Sequence, residues 1–447
     1  MTDAAAIPDL GLLQADEHRS ENGVEFFDGL LRRHGDRVRY RTSFGRFVVV
    51  NHPADVHELA RKDNFRRLSF LQIALGNGLL TSEGAWWRRQ RQLVTPVFTP
   101  EGIAQFGPLV TAQTLAIVPQ WNVHADSGGA LDVTDEMSRL TLSIILRSLF
   151  GYEIDGTAAG ELLRALRELM ADLSALASMA FGAPQVVTPS RQQAFRERMG
   201  VVEKVGLDII ARRRGASSMP DDLLTRLLTS RIEGTGELLS ERQLRDEVVT
   251  LMVAGHETTA LALDWTWYLI ARHPRAEARL HEELDAVLEG RAPVVADLPR
   301  LAWTGMVVKE AMRLYPPVWN FNRRALREDR LGDVAVAAGE IVTVCTYSVH
   351  RHPEFWPEPE AFRPERFTDA NPDRRQLRAY IPFGAGRHLC AGMHFSLMEA
   401  TLVVATLAQR FRVRPVSDPH PAMEPGFTLK MRGGLPVRIE RRVPDHE

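Results

Sequence analysis

Hydrophobic and polar residues alternate over short stretches near the start of the chain and follow helical spacing over most of the remainder. Two β-like runs, 38–40 and 47–50, flank the turn residues 43–45 and predict a hairpin. Pro53 then opens a helix that is expected to end near Arg61. From about position 100 to 315 the pattern is mainly helical, so the chain is predicted to be rich in helices.

The most apolar helix is predicted to begin at Ser240, where Ser240 and Gln243 form a capping-box pattern, and to run to about Arg272. It is apolar on most faces, which is typical of a helix in the middle of a protein. Residues 254–259, Ala-Gly-His-Glu-Thr-Thr, interrupt it with poor choices for a buried helix. Small residues let a ligand approach the backbone, and a Thr hydroxyl can bond the carbonyl four residues earlier. The alternative is a kinked core helix with a satisfied polar patch.

The last third of the chain changes character after Pro316 and Pro317, where short strands and proline-rich loops are expected. A final helix is predicted from about Ala391 to Arg410, and residues 213–220 are predicted to form a surface loop. We expect one compact, helix-rich domain over 1–447, with β-rich portions at about 36–52 and 317–350.

Composition excludes several classes of function. The 55 Lys and Arg residues nearly balance the 57 Asp and Glu residues, so no nucleic-acid partner is expected. The two cysteines, Cys345 and Cys390, are too few for a disulfide scaffold and fit a reducing compartment. Cys345 follows an apolar run and is expected to be buried and structural. The first residues lack a signal-peptide pattern, and no stretch reaches ~18 apolar residues, so no membrane anchor and a cytoplasmic location are predicted.

Residues 383–392 read Phe-Gly-Ala-Gly-Arg-His-Leu-Cys-Ala-Gly and predict a loop that presents the Cys390 thiolate. Glycines allow tight turns and leave room beside the sulfur for a flat, bulky group. Amide N–H groups and nearby cations would favour the thiolate over the thiol. A lone cysteine without partners at zinc spacing indicates an axial haem ligand. The alternative is a glycine-rich turn with an incidental buried cysteine.

This segment resembles the haem-ligand signature of the cytochrome P-450 family through Phe383, Gly386, His388, Cys390 and Gly392, with His388 in place of the commoner Arg. The resemblance covers nearly the whole chain. It implies haem b with its iron held by Cys390, Gly384 as a further haem contact, and activation of dioxygen. It also implies the family fold, mainly α with a small β-rich part, shaped as a triangular prism with a long central helix over the haem.

The interruption at 254–259 resembles the oxygen-binding signature of the same family. Carried over, Ala254 and Gly255 leave space beside the haem iron. Glu257 feeds protons, and Thr258 holds bound oxygen and a water molecule. The pair His256-Glu257 also begins a zinc-protease pattern, but that pattern needs a second histidine where the chain has Ala260.

Two further motifs would support the haem loop. Glu310 and Arg313 share a helix face, which by spacing alone is a common surface pair. They resemble the ExxR motif of the family, and residues 364–367 resemble the motif that supplies a second arginine. The resemblance therefore implies a buried Glu310–Arg313–Arg366 network that holds the loop.

The haem propionates need cationic or hydrogen-bonding partners. Trp87 and Arg91 resemble the WxxxR motif that binds one propionate. Arg323 matches a further propionate arginine, with the adjacent Arg324 as the alternative, and His388 is the fourth candidate. Other basic residues form either a solvated face or a patch for an acidic electron donor: Arg88, Arg89, Arg374, Arg375, Arg378 and Arg387.

Substrate contacts in the family come from segments of variable sequence, and here these segments are mostly apolar. A terpenoid, fatty acyl or polyketide substrate is therefore expected. The candidate pocket residues are Phe70, Ile73, Phe181, Val253, Trp319 and Phe321.

The resemblance implies a monooxygenase of secondary metabolism that hydroxylates or epoxidises its substrate, as a monomer, with electrons from a separate ferredoxin and reductase. A peroxide-driven peroxygenase and a non-catalytic haem sensor are the alternatives.

Overall fold

The computed structural model describes residues 7–12, 22–68, 71–179, 188–232, 236–368, 373–416 and 420–442, with the side chains of 177–179 left out. In the part of the chain so described, no helix is both long and apolar enough to cross a membrane. The helices are α1 (Gly23–His34), α2 (Pro53–Arg61), α3 (Gln72–Leu75), α4 (Gly84–Val94), α5 (Pro100–Ala104), α6 (Gly107–Ser127), α7 (Val133–Phe150), α8 (Gly156–Met179), α9 (Pro189–Arg214), α10 (Leu223–Thr229), α11 (Glu241–Arg272), α12 (Pro274–Leu288), α13 (Ala302–Leu314), α14 (Thr346–Val349), α15 (Arg374–Ala379) and α16 (Met393–Ala408).

The strands form one larger sheet and three small ones. They are β1 (Asp9–Leu12), β2 (Arg37–Thr42), β3 (Gly45–Val50), β4 (Phe65–Arg67), β5 (Ala130–Asp132), β6 (Asn320–Ala325), β7 (Asp329–Leu331), β8 (Val334–Val336), β9 (Ile341–Cys345), β10 (Phe411–Pro415), β11 (Met423–Pro425), β12 (Leu429–Met431) and β13 (Pro436–Arg441). The six-stranded sheet has the order β1-β2-β3-β9-β6-β4, so the amino-terminal hairpin pairs with strands from the last third of the chain.

Helix α11 runs through the main hydrophobic core and packs against α7, α9, α13 and α16. Ser240 caps it through a complete capping box, as the sequence predicts. Because neighbours cover it on several sides, its apolar residues are buried nearly all round. This helix therefore brings the polar segment 254–259 to the centre of the protein.

Several predicted elements are confirmed, and others are corrected. The β2–β3 hairpin and α2 are present, and α7 ends at Gly151, whose φ of 55° is the left-handed conformation that glycine favours. Residues 213–220 are not wholly a surface loop, because α9 continues to Arg214 and Arg213 is buried against Asp222. The two predicted β-rich portions were also incomplete, because β5 and β10–β13 form sheets elsewhere.

Candidate functional site

A cavity of about 830 Å³ lies between α11 and the loop that carries Cys390. Its wall includes Cys390 on one side and Ala254, Gly255, Glu257 and Thr258 on the other. Phe383, Gly384 and Gly392 of the predicted haem loop line it too. Two motifs that are far apart in sequence therefore face the same space.

Two glycines shape the Cys390 loop. Gly384 and Gly386 have φ angles of 77° and 66°, which side-chain-bearing residues rarely adopt. A Cβ on Gly386 would lie 2.4 Å from the carbonyl oxygen of Ala60, so this glycine lets the loop pack against α2. The Cys390 N–H donates to the Phe383 carbonyl at 3.0 Å and closes the loop. The turn thus directs the sulfur towards the cavity.

Burial from bulk solvent raises the pKa of the Cys390 thiol, although the Gly392 amide and the Arg91 charge act in the opposite direction. Burial is the largest of these influences on the Cys390 pKa, and it opposes the thiolate that the sequence predicts. A bound metal ion deprotonates a coordinating thiol outright. Arg91 also donates to the Leu389 carbonyl at 2.9 Å, which ties α4 to the residue before the cysteine.

The opposite wall is the polar segment of α11. Thr258 Oγ1 donates to the Ala254 carbonyl at 2.8 Å, the contact to the carbonyl four residues earlier that the sequence predicts. Thr259 makes the equivalent contact to Gly255 at 3.2 Å and also meets Ser396 Oγ at 3.2 Å. These side-chain bonds compete with the backbone ladder of the helix at the point where it borders the cavity.

Gly255 has a second reason to be small. A Cβ at this position would lie 2.6 Å from Cδ1 of Ile145 on α7. The structure thus gives Gly255 a packing role beside α7, whereas the predicted role beside a cofactor stays a prediction. This contact lets two buried helices approach each other closely.

Glu257 is held by the β11–β12 hairpin. Lys430 Nζ lies 2.8 Å from Glu257 Oε1, and Thr428 Oγ1 donates to the same oxygen at 3.3 Å. Phe427, the residue before Thr428, lines the cavity. The acid is thus fixed beside Thr258 by residues that no sequence motif identifies. The neighbouring His256 is buried, and burial lowers its pKa.

The predicted supporting network is present behind the Cys390 loop. Arg313 donates to both carboxylate oxygens of Glu310, at 2.7 and 2.8 Å, and both side chains are 0% exposed. Arg366 Nε donates to Glu310 Oε1 at 3.3 Å, and the Arg363 amide donates to the same oxygen at 2.8 Å. The remaining Arg313 donors reach backbone carbonyls, so its charge is well satisfied despite full burial.

An excess of buried positive charge lines the cavity beside the loop. Burial and the Arg67 charge lower the pKa of Arg323 to about 10. Within the described part of the chain, Arg323 donates one hydrogen bond, to the Asn322 carbonyl at 2.9 Å, and forms no ion pair. Arg67 pairs with Glu83 at 3.0 Å, so this single carboxylate faces several cationic groups.

His388 belongs to the same cluster. Burial and Arg67 lower the pKa of His388 to about 4, and its Nε2 is buried without a hydrogen-bond partner among the described residues. Trp87 lies against the His388 ring, with centroids 4.2 Å apart. A flat group with two carboxylates would neutralise Arg323 and give His388 a partner, so these residues fit the haem that the sequence predicts.

The remaining predicted residues divide into three groups. Val253, Trp319 and Phe321 line the cavity, as does Arg324, whose side chain is largely exposed, unlike Arg323. Ile73 does not, because its side chain is 63% exposed; one turn of α3 directs the neighbouring Leu71 and Leu75 to the cavity instead. Phe70 and Phe181 lie outside the described residues.

The predicted basic patch is partly neutralised. Arg387 pairs with Asp63, and Arg375 pairs with Glu354. Arg89 lies over the Trp86 ring at 5.6 Å. The surface near the loop therefore carries less free positive charge than the sequence suggests.

Sequence reasoning missed Arg67, Glu83, Lys430 and Thr428. The single signal for them was the presence of charged or polar residues next to β-like runs, which is common on protein surfaces. Only the pairing of β4 with β6, and the folding of the β11–β12 hairpin over α11, brings Arg67 and Thr428 to the cavity wall. Glu83 and Lys430 act through their ion pairs with Arg67 and Glu257.

Comparison with known proteins identifies the family of the chain and several relatives. A family model described as Cytochrome P450 matches residues 5–435. The chain is 33% identical to cyclooctat-9-en-7-ol 5-monooxygenase of Streptomyces melanosporofaciens, over 92% of this chain and 90% of the relative. It is 35% identical to cyclooctatin synthase of the same organism, over 82% and 78%. It is 30% identical to pentalenene oxygenase of Streptomyces avermitilis, over 94% and 93%.

A solved structure shows the same fold. The crystal structure of the cytochrome P450DA haem domain superposes with a TM-score of 0.87, at 27% identity, and covers 98% of both chains. The mainly helical architecture with small sheets is therefore that of a known haem-binding fold.

Proposed function

Because this chain belongs to the cytochrome P450 family and is a cytochrome P450 monooxygenase, we propose that it oxidises a terpenoid-type hydrophobic molecule. The observation that carries the proposal is the convergence of Cys390, Glu257 and Thr258 on one cavity of about 830 Å³. Phenylalanine and leucine are the commonest residue types in the cavity wall. The three relatives named above, whose names refer to cyclooctatin-related compounds and pentalenene, support this substrate class.

We propose that haem b occupies the cavity with its iron on the Cys390 sulfur. When bound, a thiolate-ligated haem supplies the chemistry that cleaves dioxygen. Arg323 and His388 would bind the propionates, because Arg323 forms no ion pair among the described residues and His388 Nε2, 3.7 Å from Glu83, has no hydrogen-bond partner there. Trp87 would orient His388 through its ring contact, and Arg91 would hold the loop through Leu389.

The α11 wall would deliver protons. Insertion of one oxygen atom into a C–H or C=C bond, with the other oxygen leaving as water, consumes two electrons and two protons. Glu257 is a carboxylate beside the cavity, and the adjacent Thr258 hydroxyl faces the same space. We infer that Glu257 passes protons from solvent and that Thr258 orients the water that receives them.

The electrons would come from a separate ferredoxin-type protein. Exposed basic residues near the loop, Arg88 and Arg374 among them, would guide an acidic donor and mainly raise its association rate. The monomeric state and the cytoplasmic location remain predictions.

The test is turnover of cyclic terpene hydrocarbons and alcohols by the haem-loaded protein with a ferredoxin, its reductase and dioxygen. We expect hydroxylated or epoxidised products, and Thr258→Ala should consume reductant with little product. Turnover with hydrogen peroxide but none with the electron-transfer proteins would favour a peroxygenase. Full coupling in Thr258→Ala would contradict the proton-delivery role.

A further inference from the structure

His350 lies between the Glu310–Arg313 pair and the loop that carries Cys390. It follows α14 directly and is 0% exposed. Its ring stacks on Tyr380 with centroids 5.4 Å apart and an interplanar angle of 23°. Tyr380 itself is anchored to α13, because its hydroxyl donates to the Lys309 carbonyl at 3.0 Å. The imidazole is therefore enclosed by the supporting frame on one side and by the start of the loop on the other.

Both ring nitrogens of His350 have partners, and the geometry defines which nitrogen carries the proton. The Ile381 amide lies 2.8 Å from Nε2, and because an amide N–H can only donate, Nε2 must accept. Nδ1 then carries the proton and donates to the Arg313 carbonyl at 3.1 Å. Burial and the Arg313 charge lower the pKa of His350 to about 3, so the ring stays neutral at ordinary pH.

The His350 contacts form a continuous chain from the buried ion pair to the cysteine. Arg313 donates to the His350 carbonyl at 2.9 Å while its own carbonyl accepts from the ring. On the other side, the Ile381 carbonyl accepts from the Gly384 amide at 3.0 Å. Two residues further, Phe383 accepts from the Cys390 amide at 3.0 Å. His350 is thus a direct side-chain bridge between the frame and the loop.

His350 also satisfies groups that would otherwise be buried and unpaired. The Arg313 carbonyl is in the last turn of α13, where carbonyls lack partners within the helix. The Ile381 amide lies outside any helix and is buried with its residue. Leaving either group unpaired would favour movement of the loop, because a buried unsatisfied donor or acceptor is costly.

We propose that His350 is a positioning residue that locks the Cys390 loop to the Glu310–Arg313 frame in one register. This inference rests on the proposed ligation of haem by Cys390. It assigns to His350 the task of holding the sulfur at the depth and angle that ligation requires, without contact with the haem itself.

The test compares two polar substitutions in the full-length, haem-loaded protein. The amide of His350→Gln has a donor and an acceptor at nearly the spacing of the imidazole nitrogens and can keep both contacts. His350→Asn is shorter and can keep only the contact to Arg313. We expect His350→Asn to lose at least half of the thiolate-type band in the carbon monoxide difference spectrum, and His350→Gln to retain most of it.

Amide hydrogen exchange supplies a second readout that does not depend on the haem spectrum. Loss of one hydrogen bond, worth about 1–1.5 kcal/mol, should speed exchange at Ile381 and Cys390 about ten-fold in His350→Asn. If His350→Asn does not accumulate, amide exchange is measured at Ile381 in the wild-type protein instead. Fast exchange of that amide would overturn the inference. An unchanged band together with unchanged exchange in His350→Asn would overturn it as well.

His352→Asn is the matched control. His352 is also buried and pairs through Nε2 with Asp36 at 2.9 Å, but it makes no contact with the loop. We expect this variant to keep the thiolate-type band. An equal loss of the band in both variants would show general destabilisation and contradict the positioning role. Absence of the band in the wild-type protein would instead overturn the proposed haem ligation.

Discussion

The buried polar groups in the frame behind Cys390 and those on the helix opposite it differ in how completely they are hydrogen-bonded. In the frame, Glu310, Arg313 and His350 have hydrogen-bond partners for their charged or polar atoms. Along α11, Glu247 Oε1 and Thr250 Oγ1 are buried without a partner among the described residues. Burial raises the pKa of Glu247 to about 8, so this carboxyl is largely neutral at pH 7.

This difference indicates which interactions hold the site together. A fully paired ion network is destabilised strongly when one partner is removed, because the other charge stays buried. A buried acid that must take up a proton on folding costs stability above its ordinary pKa, and a side chain that cannot ionise removes that cost. The frame should therefore tolerate few substitutions, whereas α11 should accept some and even benefit.

Glu310→Ala should have the largest effect, because it leaves Arg313 buried and unpaired. We expect a loss of about 3–5 kcal/mol of stability and little haem-loaded protein. Haem content per folded protein and urea unfolding measure this. Glu365→Ala is the control, because the exposed Glu365–Arg279 pair should contribute under about 1 kcal/mol. Normal haem content in Glu310→Ala would mean that the frame tolerates substitution as well as α11 does.

Glu247→Gln tests the opposite region by its pH dependence. The folded pKa of about 8 lies above the ordinary value of 4.5, so the stability of the wild-type protein falls as pH rises between these values. Gln cannot ionise, and the variant should gain up to about 4 kcal/mol over the wild type near pH 8 but little near pH 4.5.

Thermal unfolding between pH 5 and 9 checks the Glu247 prediction. Glu241→Gln, at an exposed position in the first turn of the same helix, should follow the wild-type curve. Parallel curves for the wild type and Glu247→Gln would mean that Glu247 is charged in the folded protein.

Gly255→Ala tests the packing of α11 separately from its polar groups. The new Cβ would overlap Ile145, so we expect a loss of about 1–3 kcal/mol. Gly305→Ala on α13 has open space around its Cβ and should instead gain about 0.5–1 kcal/mol. Equal unfolding free energies for the two variants would show that α7 yields easily.

Lys430→Met should have the smallest effect on stability, under about 1 kcal/mol, because the Lys430–Glu257 pair is partly exposed. Its expected effect is functional, because Glu257 loses the cation that holds it beside Thr258. We expect fewer product molecules per reductant consumed and more hydrogen peroxide, with Lys430→Arg close to the wild type. Unchanged coupling in Lys430→Met would mean that Glu257 needs no partner.

Much of the site could be predicted because its chemistry lies in short motifs. The residues from Phe383 to Gly392 carry the turn glycines and the cysteine within ten positions, and Ala254 to Thr258 lie on little more than one helical turn. The ExxR pair is likewise local. In each case the spacing along the chain determines which side chains share a face or a turn.

Other contacts could not be predicted, because they join segments with no local relationship. Lys430 reaches Glu257 only after a two-stranded hairpin folds over α11. His350 reaches Ile381 only because α14 places it behind the loop. The exposure of Ile73 was also missed, because periodicity over a four-residue helix is too short to define a face.

Residue types at fixed offsets were enough to predict the family, the haem loop around Cys390 and the polar interruption of α11. Tertiary structure alone decided where buried charge is paired and where it is not. The cost of burying a polar group depends on every neighbour within hydrogen-bond distance, and those neighbours come from distant parts of the chain. For that reason the buried polar side chains of the frame behind Cys390 are fully hydrogen-bonded, whereas some of those on the helix opposite are not.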